Sequence, residues 1–191
     1  VLKIHSHSSR NSVAIIGGGL VGGAILRELV LRWVRGHGEE INVCGSSQFR
    51  AACPEIETIY VTTRTEPSSI QQLQKIKEHL AREKGAGVEE TGPMGLIISS
   101  GTHRLRIEAE TLDIIPKALT SSTVDDENFR KTSSLYSYLR AKQPGTLILG
   151  VNLASVASYH KKEIQNLVLS WVLITLKQAA DECGIDTVAL I

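Results

Sequence analysis

Gly17, Gly19 and Gly22 stand in a G-x-G-x-x-G spacing. A short apolar run, Val13 to Ile16, precedes them, and an amphipathic stretch follows at once. Strand, tight turn and helix in that order can hold the pyrophosphate of a dinucleotide. Gly17 lets the chain turn sharply, Gly19 removes a side chain where a pyrophosphate would approach, and Gly22 lets the helix lie close to the strand. Around Leu20 and Val21 the helix start offers free N–H groups and a partial positive charge to the phosphates.

A second set of residues pairs hydroxyls with an arginine. Two stretches compete to be the strand beside the first: Glu40 to Cys44, and Ile56 to Thr63. The first lies at the usual distance from the last glycine, about 20 residues on. The second is richer in β-formers. An NAD site would place an acid at that strand end to accept from the ribose 2′-OH, and neither stretch ends in one. One ends in Thr62, Thr63, Arg64 and Thr65, the other in Ser46, Ser47 and Arg50. Hydroxyls and a guanidinium suit a 2′-phosphate, so the expected cofactor is NADP. Thr63 and Arg64 are favoured, with Ser47 and Arg50 as the alternative.

A third set follows two further apolar runs. Gly95 to Ser100 leads into Gly101, Thr102 and His103; Gly145 to Val151 leads into Asn152. The carboxyl ends of strands in an open α/β sheet face the ligand. His103 and Asn152 are therefore candidate contacts to the ribose or nicotinamide. No residue pair announces itself as a catalytic acid and base. Cys44, Cys53 and Cys183 lack metal-type spacing, so no metal is expected and a reduced, cytoplasmic setting is the simplest reading.

These residues must be positioned by an α/β fold, a Rossmann-type doubly wound parallel sheet. The first helix is expected over Leu20 to Arg35, with Val21, Ala24, Ile25, Leu29 and Trp33 inward. A polar helix over Ile70 to Lys84, capped by Ser68 or Ser69, buries Ile70, Leu73, Ile76 and Leu80. Ile107 to Leu119 reads as a helix with Pro116 inside it, and Ser133 to Lys142 as another. Leu167 to Leu176 is apolar almost all round, which places it against a partner subunit or a further domain. The expected organisation is an NADP-binding domain over 1–160 and the start of a helical dimerisation segment over 161–191, giving a homodimer through Leu167 to Leu176. The net charge of +1 gives no reason to expect nucleic acid. That apolar run is also too short for a membrane span, which needs about 20 residues.

The stretches VAIIGGGLVGGAI, VTTRTEPSSIQQL, LIISSGTHRL and TLILGVNLASVAS fall in the order found in pyrroline-5-carboxylate reductases, and the chain resembles that family. TTRTEPSSIQQL is similar to an NADP-dependent divergent branch of it. The tail SWVLITLKQAADECGIDTVAL resembles the first helix of the family's dimerisation domain. The resemblance implies NADP(H)-dependent hydride transfer to a small cyclic imine, as in proline biosynthesis. The chain departs from the family at Gly101 to Arg104, where the family has a Lys-Pro pair. It departs again at Val168 to Trp171, where the family has Ser-Gly-Pro-Ala-Tyr. Homoserine dehydrogenases, deazaflavin-linked NADP reductases and non-catalytic NADP-binding proteins share the glycine turn and stay open as alternatives.

Overall fold

The computed structural model describes residues 11–37, 55–112, 134–150, 162–185 and 187–190. The expected candidates Ser46, Ser47, Arg50 and Asn152 lie outside them. In chain order the elements are β1 (Ser12–Ile16), α1 (Leu20–His37), β2 (Thr58–Thr63), α2 (Glu66–Leu80), β3 (Ala86–Gly92) and β4 (Gly95–Ser100). They continue with β5 (His103–Thr111), α3 (Ser134–Lys142), β6 (Thr146–Leu149), α4 (Lys162–Cys183) and β7 (Thr187–Leu190).

Among the described residues one seven-stranded sheet has the order β3-β4-β5-β2-β1-β6-β7. The run β5-β2-β1-β6-β7 is parallel throughout. β1 lies between β2 and β6, so the chain winds first to one side of β1 and later to the other. This is the doubly wound, Rossmann-like arrangement, and its switch point lies at the carboxyl ends of β1 and β6. The β2 strand is the second of the two candidate stretches.

The sheet is mixed, not wholly parallel. β3 pairs with β4, and β4 with β5, in antiparallel fashion. Only Gly101 and Thr102 separate β4 from β5, and Gly101 has φ of +57°. A two-residue link can join antiparallel neighbours only; a parallel pair needs a crossover of roughly a dozen residues or more. Ile107 to Thr111, expected to open a helix, is instead the end of β5. Its alternation was visible in the sequence: Leu105, Ile107 and Ala109 are buried, while Arg104 and Glu110 are exposed.

Two cores flank the sheet. On one face α1 and α2 bring Leu26, Val30, Leu73 and Ile76 onto Ile15, Ile59 and Val61. On the other, α3 and α4 bring Leu135, Leu139, Leu176 and Ala179 onto Ala14, Ile16 and Leu147. Alternate residues of β1 serve alternate layers, as strand geometry requires. Substituting Ile15, which is fully buried, by alanine is expected to cost about 3 kcal/mol in urea denaturation. A loss below about 1 kcal/mol would mean the strand is not central to the core.

Three expectations shift. The buried residues of α1 are Gly22, Gly23, Leu26, Val30, Trp33 and Val34; Trp33 is inward as expected, and the rest of the stripe lies about one position on from Val21, Ala24, Ile25 and Leu29. The bare surfaces of Gly22 and Gly23 set that rotation, because they face the turn and α2. The helix α2 starts earlier than expected, with Thr65 as its cap and Pro67 in its first turn. Finally, α4 and β7 do not open a separate unit at 161. β7 pairs with β6 in the same sheet, and Val172, Leu176, Ala179 and Ala180 are buried in its second core. In this part of α4 the run is not buried all round, for Ser170 and Ile174 are exposed.

Candidate functional site

The glycine turn forms because β1 must hand over to α1 within three residues. Gly17 has φ of +89°, a conformation that side chains disfavour. The end of β2 holds the turn in place. Gly17 N donates to Thr62 Oγ1 at 3.2 Å, and Gly18 N donates to the Thr62 carbonyl at 2.6 Å. Thr62 is fully buried, so this anchor is dry. From the other side Gly150, just past β6, donates its N–H to the Ile16 carbonyl at 2.8 Å.

Gly22 sits against the turn it follows. A Cβ there would stand 2.0 Å from the Gly17 carbonyl oxygen. Gly19 is different: a Cβ built on it would meet nothing within 4 Å. The fold itself does not need a glycine at that position, which leaves an open approach to the backbone. The Gly19 carbonyl accepts the first helical bond, from Gly23 N at 2.8 Å. The N–H groups of Leu20, Val21 and Gly22 therefore open the helix without intrahelical partners. Leu20 is 81% exposed, and no acidic residue stands in the first turn of α1. A cradle of this kind, positive and open, fits the pyrophosphate of a dinucleotide.

Beside it lies the carboxyl end of β2. Arg64 and Thr65 are exposed there. Thr65 is occupied as the cap of α2: Ser68 N donates to its Oγ1 at 3.4 Å. Thr63 departs from expectation. It is only 5% exposed, its Oγ1 donates to the Thr65 carbonyl at 2.8 Å, and Ser69 Oγ lies 2.6 Å away. Its hydroxyl shapes the corner from within and does not face a ligand. Glu66, exposed in the first turn of α2, places an acid two residues from Arg64.

His103 falls on the wrong edge. β4 runs antiparallel to β5, so its carboxyl end meets the amino-terminal edge of the parallel strands. His103 pairs with Ser100 there, and its ring lies 4.4 Å from that of His37 at the end of α1. The glycine turn is at the opposite edge of the sheet. Gly101 to Arg104 therefore do not stand where the family resemblance would have them, at the ligand edge. A cavity of about 600 Å³ lies beside this pair, lined by Trp33, Glu55, Glu57 and Arg106 among others.

Sequence reasoning grouped Gly17, Gly19, Leu20, Val21, Gly22, Arg64 and Thr65, and the structure brings them to one edge. It missed the anchors. Thr62 was legible only as a strand-end hydroxyl, and Gly150 as the end of a strand. Gln72 of α2, whose Nε2 lies 3.5 Å from the Gly19 carbonyl oxygen, carried no signal beyond its place in a polar helix.

The groups with displaced titration lie elsewhere. A hydrogen bond from Arg35 holds Glu83 below the usual carboxylate range. Burial pushes the hydroxyl of Tyr138, on α3, well up. A hydrogen bond to Glu182 raises Tyr136, and burial raises Cys183. The charge of the candidate site thus comes from the helix start and Arg64. Among the described residues no three His, Cys, Asp or Glu side chains gather as a metal site would require. No described helix is long and apolar enough to cross a membrane. No family model, curated protein or solved structure matches the chain.

Proposed function

We propose that this chain binds NADP(H) at the glycine turn and serves as an NADP(H)-dependent oxidoreductase. One observation carries the reading. The open Gly19 backbone and the free helix start lie at the switch point of the sheet, with exposed Arg64 at the end of the neighbouring strand. The pyrophosphate would lie on the start of α1 and the 2′-phosphate beside Arg64 and Thr65. Following the family resemblance, the substrate is a small molecule with an imine carbon. When bound, the cofactor would supply the hydride for that carbon, with the proton for the imine nitrogen coming from solvent.

The setting proposed is the cytoplasm. The proposed assembly is a homodimer through Leu167 to Leu176, where Ile174 on the outer face of α4 is 42% exposed. A monodisperse monomer at high protein concentration in sedimentation would remove the dimer from this reading.

A non-catalytic NADP(H)-binding protein is a second reading. It is favoured by the place of Gly101 to Arg104, the stretch that departs from the family's Lys-Pro pair, at the edge opposite the glycine turn. Calorimetric titration with NADPH and NADH comes first. Saturable binding with preference for NADPH supports the proposal, and absence of binding by either nucleotide overturns it. Turnover of pyrroline-5-carboxylate then separates the enzyme from the binding protein.

A further inference from the structure

One buried side chain reaches from α2 to the glycine turn. Gln72 is 6% exposed and extends to the start of α1. Arg27 Nη1 donates to its Oε1 at 3.2 Å. Since a guanidinium only donates, that contact fixes which end of the amide is oxygen. Its Nε2 is thereby turned toward the Gly19 carbonyl, 3.5 Å away. Room for the amide exists because residue 23 is glycine: a Cβ there would stand 2.3 Å from Gln72 Oε1. A leucine could fill this space without bringing a polar group into the interior, so packing does not explain an amide here.

We infer that Gln72 is a positioning residue for the phosphate-binding turn. The Gly19 carbonyl and the Leu20 N–H belong to one planar peptide unit and point in opposite directions. Holding the carbonyl along the helix axis aims the N–H outward, toward a phosphate. The same contact ties the turn to α2, whose cap Thr65 follows Arg64 directly. The two phosphate-facing parts of the site thus share one helix as their reference. The inference rests on the proposed NADP(H) reading and deepens it.

The test is calorimetric titration of NADPH into the full chain and two variants, with thermal melting of each. Gln72→Met keeps the length and volume of the side chain and removes the donor. Gly23→Ala combined with Gln72→Ala replaces the amide by a methyl on α1 and removes the clash. Both variants are expected to bind NADPH about fivefold more weakly, while the melting temperature of Gln72→Met stays near that of the unmodified chain. A purely packing role would not lower affinity without lowering stability. If both fold and bind within about twofold of the unmodified chain, the inference is overturned. If Gln72→Met does not fold, the double variant decides by the same criterion. Failure of both to fold would assign Gln72 to packing and overturn the inference. A flat titration of the unmodified chain is a separate result and removes the functional reading itself.

Discussion

Gly22→Ala is expected to destabilise the chain by about 3 kcal/mol or more, while Gly19→Ala stays within about 0.5 kcal/mol. At residue 22 the added methyl would lie 2.0 Å from the Gly17 carbonyl oxygen and 2.9 Å from its carbon. Both are backbone atoms, and the turn that carries them is pinned to Thr62 by two hydrogen bonds. Neither partner can yield without dragging the end of β1 or lifting the start of α1. In a chain of this size such a loss lowers the melting temperature by roughly 6 to 12 °C. Gly19 meets no atom within 4 Å, and an alanine at a helix cap costs only its capping preference. Its methyl would occupy the space proposed for the pyrophosphate. NADPH affinity in Gly19→Ala should therefore fall by more than tenfold with melting unchanged. The pair of variants separates a glycine that the fold requires from one that the ligand requires. Unchanged affinity in a well-folded Gly19→Ala would move the ligand off this turn.

Arg64→Ala is expected to weaken NADPH binding by roughly tenfold to a hundredfold and NADH binding by less than about threefold. The two nucleotides differ only at the 2′ position, so the ratio isolates that contact. Arg64 is exposed at the end of β2, next to the strand that carries the turn, and its guanidinium is always charged. Glu66 works against a phosphate at the same corner, and Glu66→Gln should raise NADPH affinity modestly, by about twofold. Equal losses for both nucleotides would place Arg64 on the shared part of the cofactor. No loss for either would transfer the 2′-phosphate to the alternative set, and Arg50→Ala is the variant that would then respond. Calorimetry on the four combinations gives the answer without an assay for turnover.

The parts of the fold that are legible in the sequence share a physical basis. β1, the glycine turn and α1 are specified by contacts a few residues apart, and glycine spacing reports backbone demands directly. β2 was legible because Ile59, Tyr60, Val61, Thr62 and Thr63 carry strand preference along their length. For α3, the apolar positions of Ser134–Lys142 agree with a helix, and the structure buries Leu135, Tyr136, Tyr138 and Leu139. Spacing misleads where the decisive contact is distant in sequence. The apolar run of α4 reads as buried on every side, yet α3 and the sheet take up one side of its described part and leave Ile174 outside. Thr63 looked like a ligand because it ends a strand, whereas Ser69, one turn into α2, engages its hydroxyl.

The amino-acid sequence by itself determined a glycine turn between a buried strand and a helix, and an arginine at the end of the next strand. Both follow from local backbone geometry and side-chain chemistry. Only the tertiary structure decided which edge each residue occupies. The two-residue link between β4 and β5 reverses the chain, so His103 is carried to the edge opposite Gly17. It also decided what fastens the turn, since Thr62 and Gln72 meet it from 45 and 53 residues away. A pairing across that distance depends on how strands and helices stack, and spacing along the chain does not encode it.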